Sequence, residues 1–239
     1  MTETAKPYAV NNRILSALPH EEYQRLQPHL ELVHLSTRRT LSEAGDLIRH
    51  TYFLNSGMGS LLAVTQGGAT VEIAMVGNEG MLGIPVVLGA RKAPYRIMIQ
   101  MPGDAMRIKA DVLRAQLKRG AELQDLLLSY THALITQISQ SAVCNRFHTM
   151  EKRLCRWLLI AHDRVDGDTF HLTQEIISYM MGAPRTGVTM AASTLQDAGL
   201  IRYKRGKITI IDRHGLEETA CECYRIVAEN LEHFLTARN

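Results

Sequence analysis

The sequence predicts an α+β chain with three parts in order: an N-terminal antiparallel β-roll or jelly-roll barrel, a long dimerisation helix and a C-terminal winged helix–turn–helix. Three observations predict this order. Glycines separate short apolar runs as far as residue 108, they become rare after Asp111, and residues 172–213 combine two helical patterns with a basic hairpin. Closely spaced short strands with glycine turns indicate an antiparallel barrel or sandwich. We expect boundaries that give parts 1–120, 121–144 and 145–239.

The N-terminal part opens with a short helical entry over residues 11–31, which Pro19 and Pro28 interrupt. Apolar runs of strand length follow, and glycine turns separate them. The predicted strands are 32–35, 51–54, 61–64, 71–76 and 97–99, and the expected turns are at Gly45, Gly57, Gly67, Gly77 and Gly103. This spacing predicts that the strands pair with one another in a single barrel.

A long helix over 121–143, after a short one at 112–119, carries two apolar lines. The first line has the 3–4 spacing of a coiled-coil seam and contains Leu127, Tyr130, Leu134, Gln137 and Ser141. The second line contains Leu128, Ile135, Ile138 and Ala142. A helix against its own barrel needs one apolar face, so two faces favour pairing with the same helix of another copy. We expect a homodimer with the first line as its seam; burial of both faces within one chain is the alternative.

Residues 172–213 follow a helix predicted at 148–164 and contain two further helical patterns. Thr173 is a good N-cap, Gly182 ends the first helix, and Pro184 suits the start of the second. The second helix has one apolar side, and its other side is short and polar. Slim side chains at the leading end of a helix fit the major groove of DNA. The candidate DNA contacts here are Thr173, Arg185, Thr186, Thr189, Met190 and Ser193.

A basic hairpin follows Gly199, with strands predicted at 201–203 and 208–210. Its turn carries Lys204, Arg205 and Lys207, and cations at a hairpin tip suit the phosphate backbone. Either feature alone is common in proteins that do not bind DNA. The ordered set of capped helix, glycine turn, proline–arginine helix start and basic hairpin predicts double-stranded DNA as the partner. Residues 216–235 are predicted as one amphipathic helix over the C-terminal core.

Composition limits the remaining possibilities. The chain has 239 residues, which fits one large domain or two small ones, and its net charge of +3 is too small for general nucleic-acid affinity. Any basic surface must therefore be local. Residues 1–10 lack the cationic start and apolar core of a secretory signal, and no apolar run is long enough to span a bilayer. We expect a cytoplasmic protein that does not contact membranes.

The cysteines and histidines do not suggest a metal site or an enzyme. Four cysteines (Cys144, Cys155, Cys221 and Cys223) are sparse for a disulfide scaffold. One residue separates Cys221 from Cys223, whereas zinc and redox pairs usually have two between them, so we interpret all four as thiols. The ten histidines form no ligand set, and HExxH, GxSxG, P-loop and GxGxxG motifs are missing. We expect no catalysis, no cofactor and an empty bound-metal assay; metal or redox sensing is the minor alternative.

The order of the parts resembles the Crp/Fnr family of bacterial transcription regulators over nearly the whole chain. The resemblance is strongest at 151–154 (EKRL), 172–176 (LTQEI) and 181–185 (MGAPR). It implies a cyclic-nucleotide-binding-like sensor barrel, a homodimer that reads an inverted repeat, and RNA polymerase as a partner. In the family an arginine that opens the recognition helix contacts bases, and Arg185 matches it. Thr186 and Met190 replace the family's usual acid and second arginine, so the operator preference should differ from that of the cyclic-AMP receptor protein.

The sensor end departs further from the family. Members that bind cyclic AMP use a glycine–glutamate pair on the ribose and an arginine–serine pair on the phosphate, but Met81 occupies the glutamate position here. The arginine–serine position falls near Ala93, although Arg91 or Arg96 could supply the cation. The candidate effector pocket consists of Gly80, Met81, Leu82, Gly83, Arg91 and Arg96. We expect an effector other than cyclic AMP, or none; a cyclic-nucleotide-responsive regulator with a rearranged phosphate site is the alternative.

Overall fold

The computed structural model describes residues 10–120 and 122–236. Two expectations fall partly outside this range: the N-terminal segment without a secretory signal, and the start of the long helix at residue 121. Two short helices, α1 (Arg13–Ser16) and α2 (His20–Leu26), open the described chain, as the helical entry predicts. The Asn12 side chain caps α1 and also donates hydrogen bonds to the Leu54 and Gly80 carbonyls. It therefore attaches the entry helices to the barrel.

Eight described strands form two antiparallel four-stranded sheets that pack into one barrel. They are β1 (Glu31–Leu35), β2 (Thr40–Ser42), β3 (His50–Leu54), β4 (Met58–Val64), β5 (Thr70–Val76), β6 (Met81–Leu82), β7 (Arg96–Met101) and β8 (Gly103–Lys109). The sheets have the strand orders β1-β8-β3-β6 and β2-β7-β4-β5. The five predicted strands are confirmed as β1, β3, β4, β5 and β7.

The role predicted for Gly103 is wrong, because this residue begins β8 and is not a turn. A Cβ atom at this position would lie 2.3 Å from the carbonyl oxygen of Ser56, far inside van der Waals contact. The glycine is needed for this close approach of two backbones. The turn before β8 occupies Pro102. β2 and β6 have three and two residues, too few for an alternating pattern to identify them.

The remaining elements include the long helix and a small C-terminal sheet. The helices are α3 (Ala110–Leu117), α4 (Glu122–Phe147), α5 (Met150–His162), α6 (Gln174–Met181), α7 (Arg185–Asp197), α8 (Arg213–Thr219) and α9 (Glu222–Thr236). The strands β9 (Thr169–His171), β10 (Ile201–Lys204) and β11 (Lys207–Ile210) form an antiparallel sheet in the order β10-β11-β9. None of the described helices combines the length and apolar character needed to cross a membrane.

Two boundaries differ from the sequence-based expectations. α4 continues to Phe147, four residues past the predicted end, and the chain breaks only where Thr149 adopts an extended conformation before α5. The predicted single helix over 216–235 is two helices, because Ala220 is extended with ψ 164°. The second of these, α9, packs along α4, and the Phe234 ring lies 5.7 Å from the Tyr130 ring. The C-terminal helix therefore also joins the barrel core.

The barrel and the C-terminal part pack closely together. Met58, Leu62 and Met75 project from β4 and β5 into the same apolar cluster as Trp157 of α5. All four side chains are at most 2% exposed. Burial of this kind contributes about 25 cal/mol per Å² of apolar surface. The C-terminal part is therefore held on the barrel by a shared core, and α9 also contacts α4.

Candidate nucleic-acid interface

The turn between α6 and α7 forms as the sequence predicts. Thr173 caps α6, and its hydroxyl oxygen accepts a hydrogen bond from the Ile176 amide at 3.2 Å. Gly182 ends α6 in the left-handed conformation, with φ +56°. A Cβ at Gly182 would lie 3.0 Å from the Cβ of Val71 on β5, so glycine also allows the turn to rest on the barrel. Pro184 precedes α7 directly and serves as its N-cap residue.

The apolar side of α7 is buried and its polar side is exposed. Val188, Ala191, Ala192 and Leu195 are at most 2% exposed and pack in the C-terminal core. The predicted contact residues on the opposite side are all exposed: Arg185, Thr186, Thr189, Met190 and Ser193. Met190 is 70% exposed. The orientation of this helix therefore leaves the predicted contact residues free to meet a ligand.

The hairpin turns within two residues. Arg205 and Gly206 have φ +51° and +74°, and positive values at both positions are typical of the tight turn that suits strand twist. Lys204 and Lys207 are paired across the turn, so three cations lie close together at the tip. The Gly206 carbonyl accepts a hydrogen bond from the Leu172 amide at 2.8 Å. This bond attaches the hairpin tip to the residue before the α6 cap.

The cap of α6, the start of α7 and the hairpin tip meet around one groove. A cavity of about 390 Å³ is lined by Thr173, Gln174, Arg185, Tyr203, Arg205 and Gly206. A second groove of about 420 Å³ runs along the hairpin and is lined by Arg202, Lys204, Arg205, Lys207 and Thr209. Sequence reasoning missed Gln174, Arg202 and Tyr203. Arg202 could have been identified from its position between Ile201 and Tyr203. Side chains alternate along a strand, so Arg202 lies on the opposite face from these two residues.

This surface concentrates positive charge that the composition does not reveal. Its cations are Arg185, Arg202, Lys204, Arg205 and Lys207, and all are exposed. Within residues 10–120 and 122–236, no carboxylate forms an ion pair with any of them. Unpaired cations in a local cluster attract a polyanion, although the net charge of the chain is only +3.

The seam predicted on α4 must be corrected. Leu127, Tyr130 and Leu134 are at most 4% exposed within a single chain, because they pack against the barrel. Gln137 accepts a hydrogen bond from the Met75 amide at 2.6 Å, and Ser141 lies 3.4 Å from an Arg156 nitrogen. This line faces the interior of its own chain and cannot contact a second copy. The other apolar line is more exposed, with Leu128 at 43% and Ile135 at 54% exposure, while Ile138 packs against the core of its own chain.

Two buried carboxylates of the barrel contact the C-terminal part. Glu79, between β5 and β6, forms an ion pair at 2.9 Å with Arg164, which follows α5, and both side chains are at most 5% exposed. Glu72 on β5 accepts hydrogen bonds from the Ser60 hydroxyl and, at 2.8 Å, from the Trp157 indole of α5. These contacts fix α5 relative to the barrel.

Burial raises the pKa of Glu72 to about 7, although the hydrogen bonds from Ser60 and Trp157 and the charges of Arg156 and Arg164 act in the opposite direction. The desolvation cost of a carboxylate exceeds these favourable contacts. Glu72 therefore changes its charge near neutral pH at the contact between the barrel and α5.

The structure does not bring the six candidate effector-pocket residues together. Met81 is 1% exposed in the barrel core, and Arg91 is on the surface. Arg96 is held by Glu43 at 2.8 Å and donates to the Tyr179 hydroxyl of α6 at 2.6 Å. A Cβ at Gly80 would clash with the Tyr130 hydroxyl of α4 at 2.1 Å.

Leu82 and Gly83 do line a barrel cavity of about 430 Å³. Its other lining residues are Leu41, Ser42, Asp46, Leu47, Ile48, Arg49, His50, Tyr52 and Ile97. The arginine in this wall is Arg49, which the sequence analysis did not select. The cavity also contains an acid, Asp46, so its polar groups differ from those expected at the position of an arginine–serine pair.

This chain is similar in sequence and fold to several known proteins. Residues 152–219 match the family model of the Crp-like helix-turn-helix domain. The global nitrogen regulator of Nostoc sp. is 24% identical over 181 residues, which cover 72% of this chain and 81% of the relative. Among solved structures, FixK2 from Bradyrhizobium japonicum has a TM-score of 0.69 at 14% identity and covers 80% of this chain and 98% of its own. A CRP-family transcriptional regulator from Thermus thermophilus has a TM-score of 0.65 at 15% identity, with coverages of 79% and 96%.

Proposed function

We propose that this chain, a transcription regulator of the Crp/Fnr type, acts as a cytoplasmic homodimer that reads an inverted repeat in double-stranded DNA and contacts RNA polymerase. The observation that carries the proposal is the groove where the α6 cap, the start of α7 and the hairpin tip meet. In this arrangement α7 enters the major groove and the hairpin lies along the backbone. We propose the parts 1–120, 121–144 and 145–239 as sensor, dimerisation helix and DNA-binding unit.

The two kinds of side chain on this surface have different roles. Arg185 stands at the leading end of α7 and supplies a bidentate contact to a guanine. Lys204, Arg205 and Lys207 on the hairpin supply phosphate contacts that carry no sequence information. Thr173, at the start of α6, supplies a further contact to the DNA backbone. Thr186, Thr189, Met190 and Ser193 complete the face of α7 that meets the bases.

Arg185→Ala and Lys204→Ala should therefore weaken DNA binding in different ways. Arg185→Ala should remove about 1–3 kcal/mol of discrimination at one base position in each half-site. Lys204→Ala should weaken binding to all sequences alike and reduce the salt slope by about one. Fluorescence anisotropy titrations over a range of salt concentrations, with matched and substituted operators, measure both effects. Arg225→Ala on α9 is the control, since this arginine is 71% exposed outside the groove. Identical behaviour of the two variants would contradict the assigned roles.

We further propose that two copies pair through the exposed line of α4. Leu128, Ile135 and Ala142 are spaced by seven residues, and all three are exposed. Phe147, in the last turn of α4, is 75% exposed. Apolar side chains seven residues apart occupy one of the two core positions in the heptad of a two-helix seam. A second copy of the same helix buries this line, and pairing there gives the dimer the twofold symmetry that an inverted repeat requires.

Ile135→Glu and Leu134→Ala test the two faces of α4 separately. Ile135 is 54% exposed in one chain, so glutamate there should leave folding intact and dissociate the dimer by placing charges in the seam. Leu134 is 4% exposed, so Leu134→Ala should lower the free energy of unfolding by about 2–5 kcal/mol and leave the dimer in place. Sedimentation velocity and urea unfolding measure the two outcomes. An Ile135→Glu variant that sediments like the wild type would show that this line is not the seam.

The sensor barrel binds an effector other than cyclic AMP, or it binds no effector. A buried cyclic phosphate and ribose need a matched cation and acceptor, because each unpaired polar group costs about 1–3 kcal/mol. Met81 offers no such acceptor, and Arg96 is already bound to Glu43 and Tyr179. The observation that favours the alternative, a cyclic-nucleotide-responsive regulator, is Arg49 in the wall of the cavity beside Gly83. Calorimetric titration with cyclic AMP separates the two, since micromolar binding that tightens DNA binding supports the alternative.

A further inference from the structure

Four side chains with metal-ligating atoms meet at the junction of α4, α5 and α9. Cys144 lies in the last turn of α4, His148 in the link to α5, and Cys221 and Cys223 at the start of α9. Their ligand atoms all lie within 4.8 Å of one another. The Sγ atoms of Cys144 and Cys221 are 3.5 Å apart, and Cys223 Sγ is 3.7 Å from His148 Nδ1.

We propose that these four residues bind one zinc-class divalent ion. In a tetrahedral zinc site with Zn–S bonds of about 2.3 Å, neighbouring sulfur atoms are about 3.8 Å apart. The Sγ–Sγ separation of 3.5 Å and the Sγ–Nδ1 separation of 3.7 Å are close to this edge length. Three thiolates and one imidazole are a recurrent ligand set for structural zinc. An iron–sulfur cluster would hold its ligand atoms further apart, because several iron and sulfide ions separate them, so the geometry favours a single ion.

The surroundings of the four residues fit a closed structural site. The three cysteines are at most 5% exposed, and the protein supplies all four ligands. The Nε2 atom of His148 lies 3.4 Å from a Glu222 carboxylate oxygen, which directs the Nδ1 atom toward the thiols. A carboxylate on the second imidazole nitrogen is the usual support of a metal-bound histidine.

The sequence spacing of these four residues does not identify the site. We therefore replace our expectation that a bound-metal assay would find no metal. Cys221 and Cys223 form a short pair, and the partners that complete the set are 77 and 75 residues away. His148 stands four positions after Cys144, the spacing that places two side chains on one side of a helix. The fold unites both pairs because α9 returns along α4.

Bound metal would fix α9 to the link between α4 and α5. That link is where the proposed dimerisation helix meets the DNA-binding unit. Metal loss should therefore loosen the orientation of the two DNA-binding units and weaken operator binding. Only this consequence rests on the proposed function; the metal site itself does not.

Elemental analysis of the full-length protein, purified with a non-thiol reductant, tests the proposal. We expect one zinc per chain, loss after chelation, and recovery when Zn²⁺ is added to the reduced protein. His148→Gln and Cys223→Ser should each reduce the zinc content at least tenfold. Cys155→Ala is the matched control, because Cys155 is equally buried but lies outside the cluster, and this variant should keep its zinc.

Cobalt titration of the metal-free wild type gives a second measurement that needs no folded variant. One equivalent of Co²⁺ should produce the thiolate-to-cobalt charge-transfer bands of a tetrahedral site. A reduced wild type that takes up neither metal, variants that keep full zinc content, or a native Cys144–Cys221 disulfide would overturn the proposal. DNA binding is measured in parallel. Zinc binding without DNA binding would contradict only the proposed function, and DNA binding without zinc only this inference.

Discussion

Glu79→Leu should lower the free energy of unfolding by about 3–5 kcal/mol, because it leaves the Arg164 guanidinium buried without its counter-charge. Arg164 is 3% exposed, and its Nε donates to Glu79 at 2.9 Å. Its Nη1 donates to the Ile160 carbonyl at 2.8 Å, so the side chain is held inside and cannot turn to water without moving α5. The Gly77 amide also loses its acceptor, since it donates to the Glu79 carboxylate.

The double variant Glu79→Leu, Arg164→Met should be much less destabilised than the sum of the single variants predicts, because an apolar pair leaves no buried charge. The control is Glu229→Leu, whose partner Arg225 lies 3.3 Å away and whose pair is 60–71% exposed. Exposed pairs contribute about 0–1 kcal/mol, so this variant should unfold like the wild type. Urea titration of the wild type, Glu79→Leu, Arg164→Met, the double variant and Glu229→Leu measures these effects. A loss at Glu79 no larger than at Glu229 would show that the pair does not hold α5 on the barrel.

The stability of the wild type should fall as pH rises from 4.5 to about 7, on the order of 3 kcal/mol at about 1.4 kcal/mol per pKa unit. The cause is Glu72, whose pKa burial raises from 4.5 to about 7. Between these values the folded protein keeps a proton that the unfolded chain has lost. Raising the pH therefore favours unfolding, the reverse of the effect of a carboxylate whose pKa the fold lowers.

Glu72→Gln should remove this dependence. The amide is neutral at all pH values, and its oxygen can still accept the hydrogen bond from Trp157. Above pH 7 the variant should be more stable than the wild type, and near pH 4 the two should converge. Glu218→Gln is the control, since this side chain is 70% exposed, and it should keep the wild-type slope. Urea titrations at a series of pH values measure the slopes, and an unchanged slope in Glu72→Gln would exclude Glu72 as the cause.

The helix–turn–helix could be predicted residue by residue because its signals are local. The Thr173 cap, the left-handed Gly182 and the Pro184 start each follow from backbone chemistry within one turn of helix. The exposed face of α7 then follows from helical periodicity alone. The hairpin could be predicted for the same reason, since Gly206 in the turn and alternating apolar and polar residues on either side specify two short strands.

The α4 seam shows that helical periodicity alone does not identify which apolar face is buried. The pattern identified two apolar lines but not which one meets the barrel, because the contact depends on residues such as Met75, which lies 62 positions before Gln137 in the chain. Gln137 carried a usable signal: a polar side chain within an apolar line suggests a buried backbone partner, which is the Met75 amide here. The spatial neighbours of the effector candidates and of the cysteines could not be predicted for a related reason, since loop paths and the return of α9 decide which residues become neighbours.

Selection of genomic DNA fragments by the purified protein, followed by sequencing of the bound fraction, tests whether a dimer of this chain reads DNA through α7. We expect an enriched inverted repeat whose half-sites are one helical turn apart, about 34 Å between centres. We also expect that the Arg185→Ala protein loses preference at one position in each half-site. A bound fraction without an enriched sequence, or an enriched single half-site with no inverted partner, would contradict the claim that a dimer of this chain reads DNA through α7.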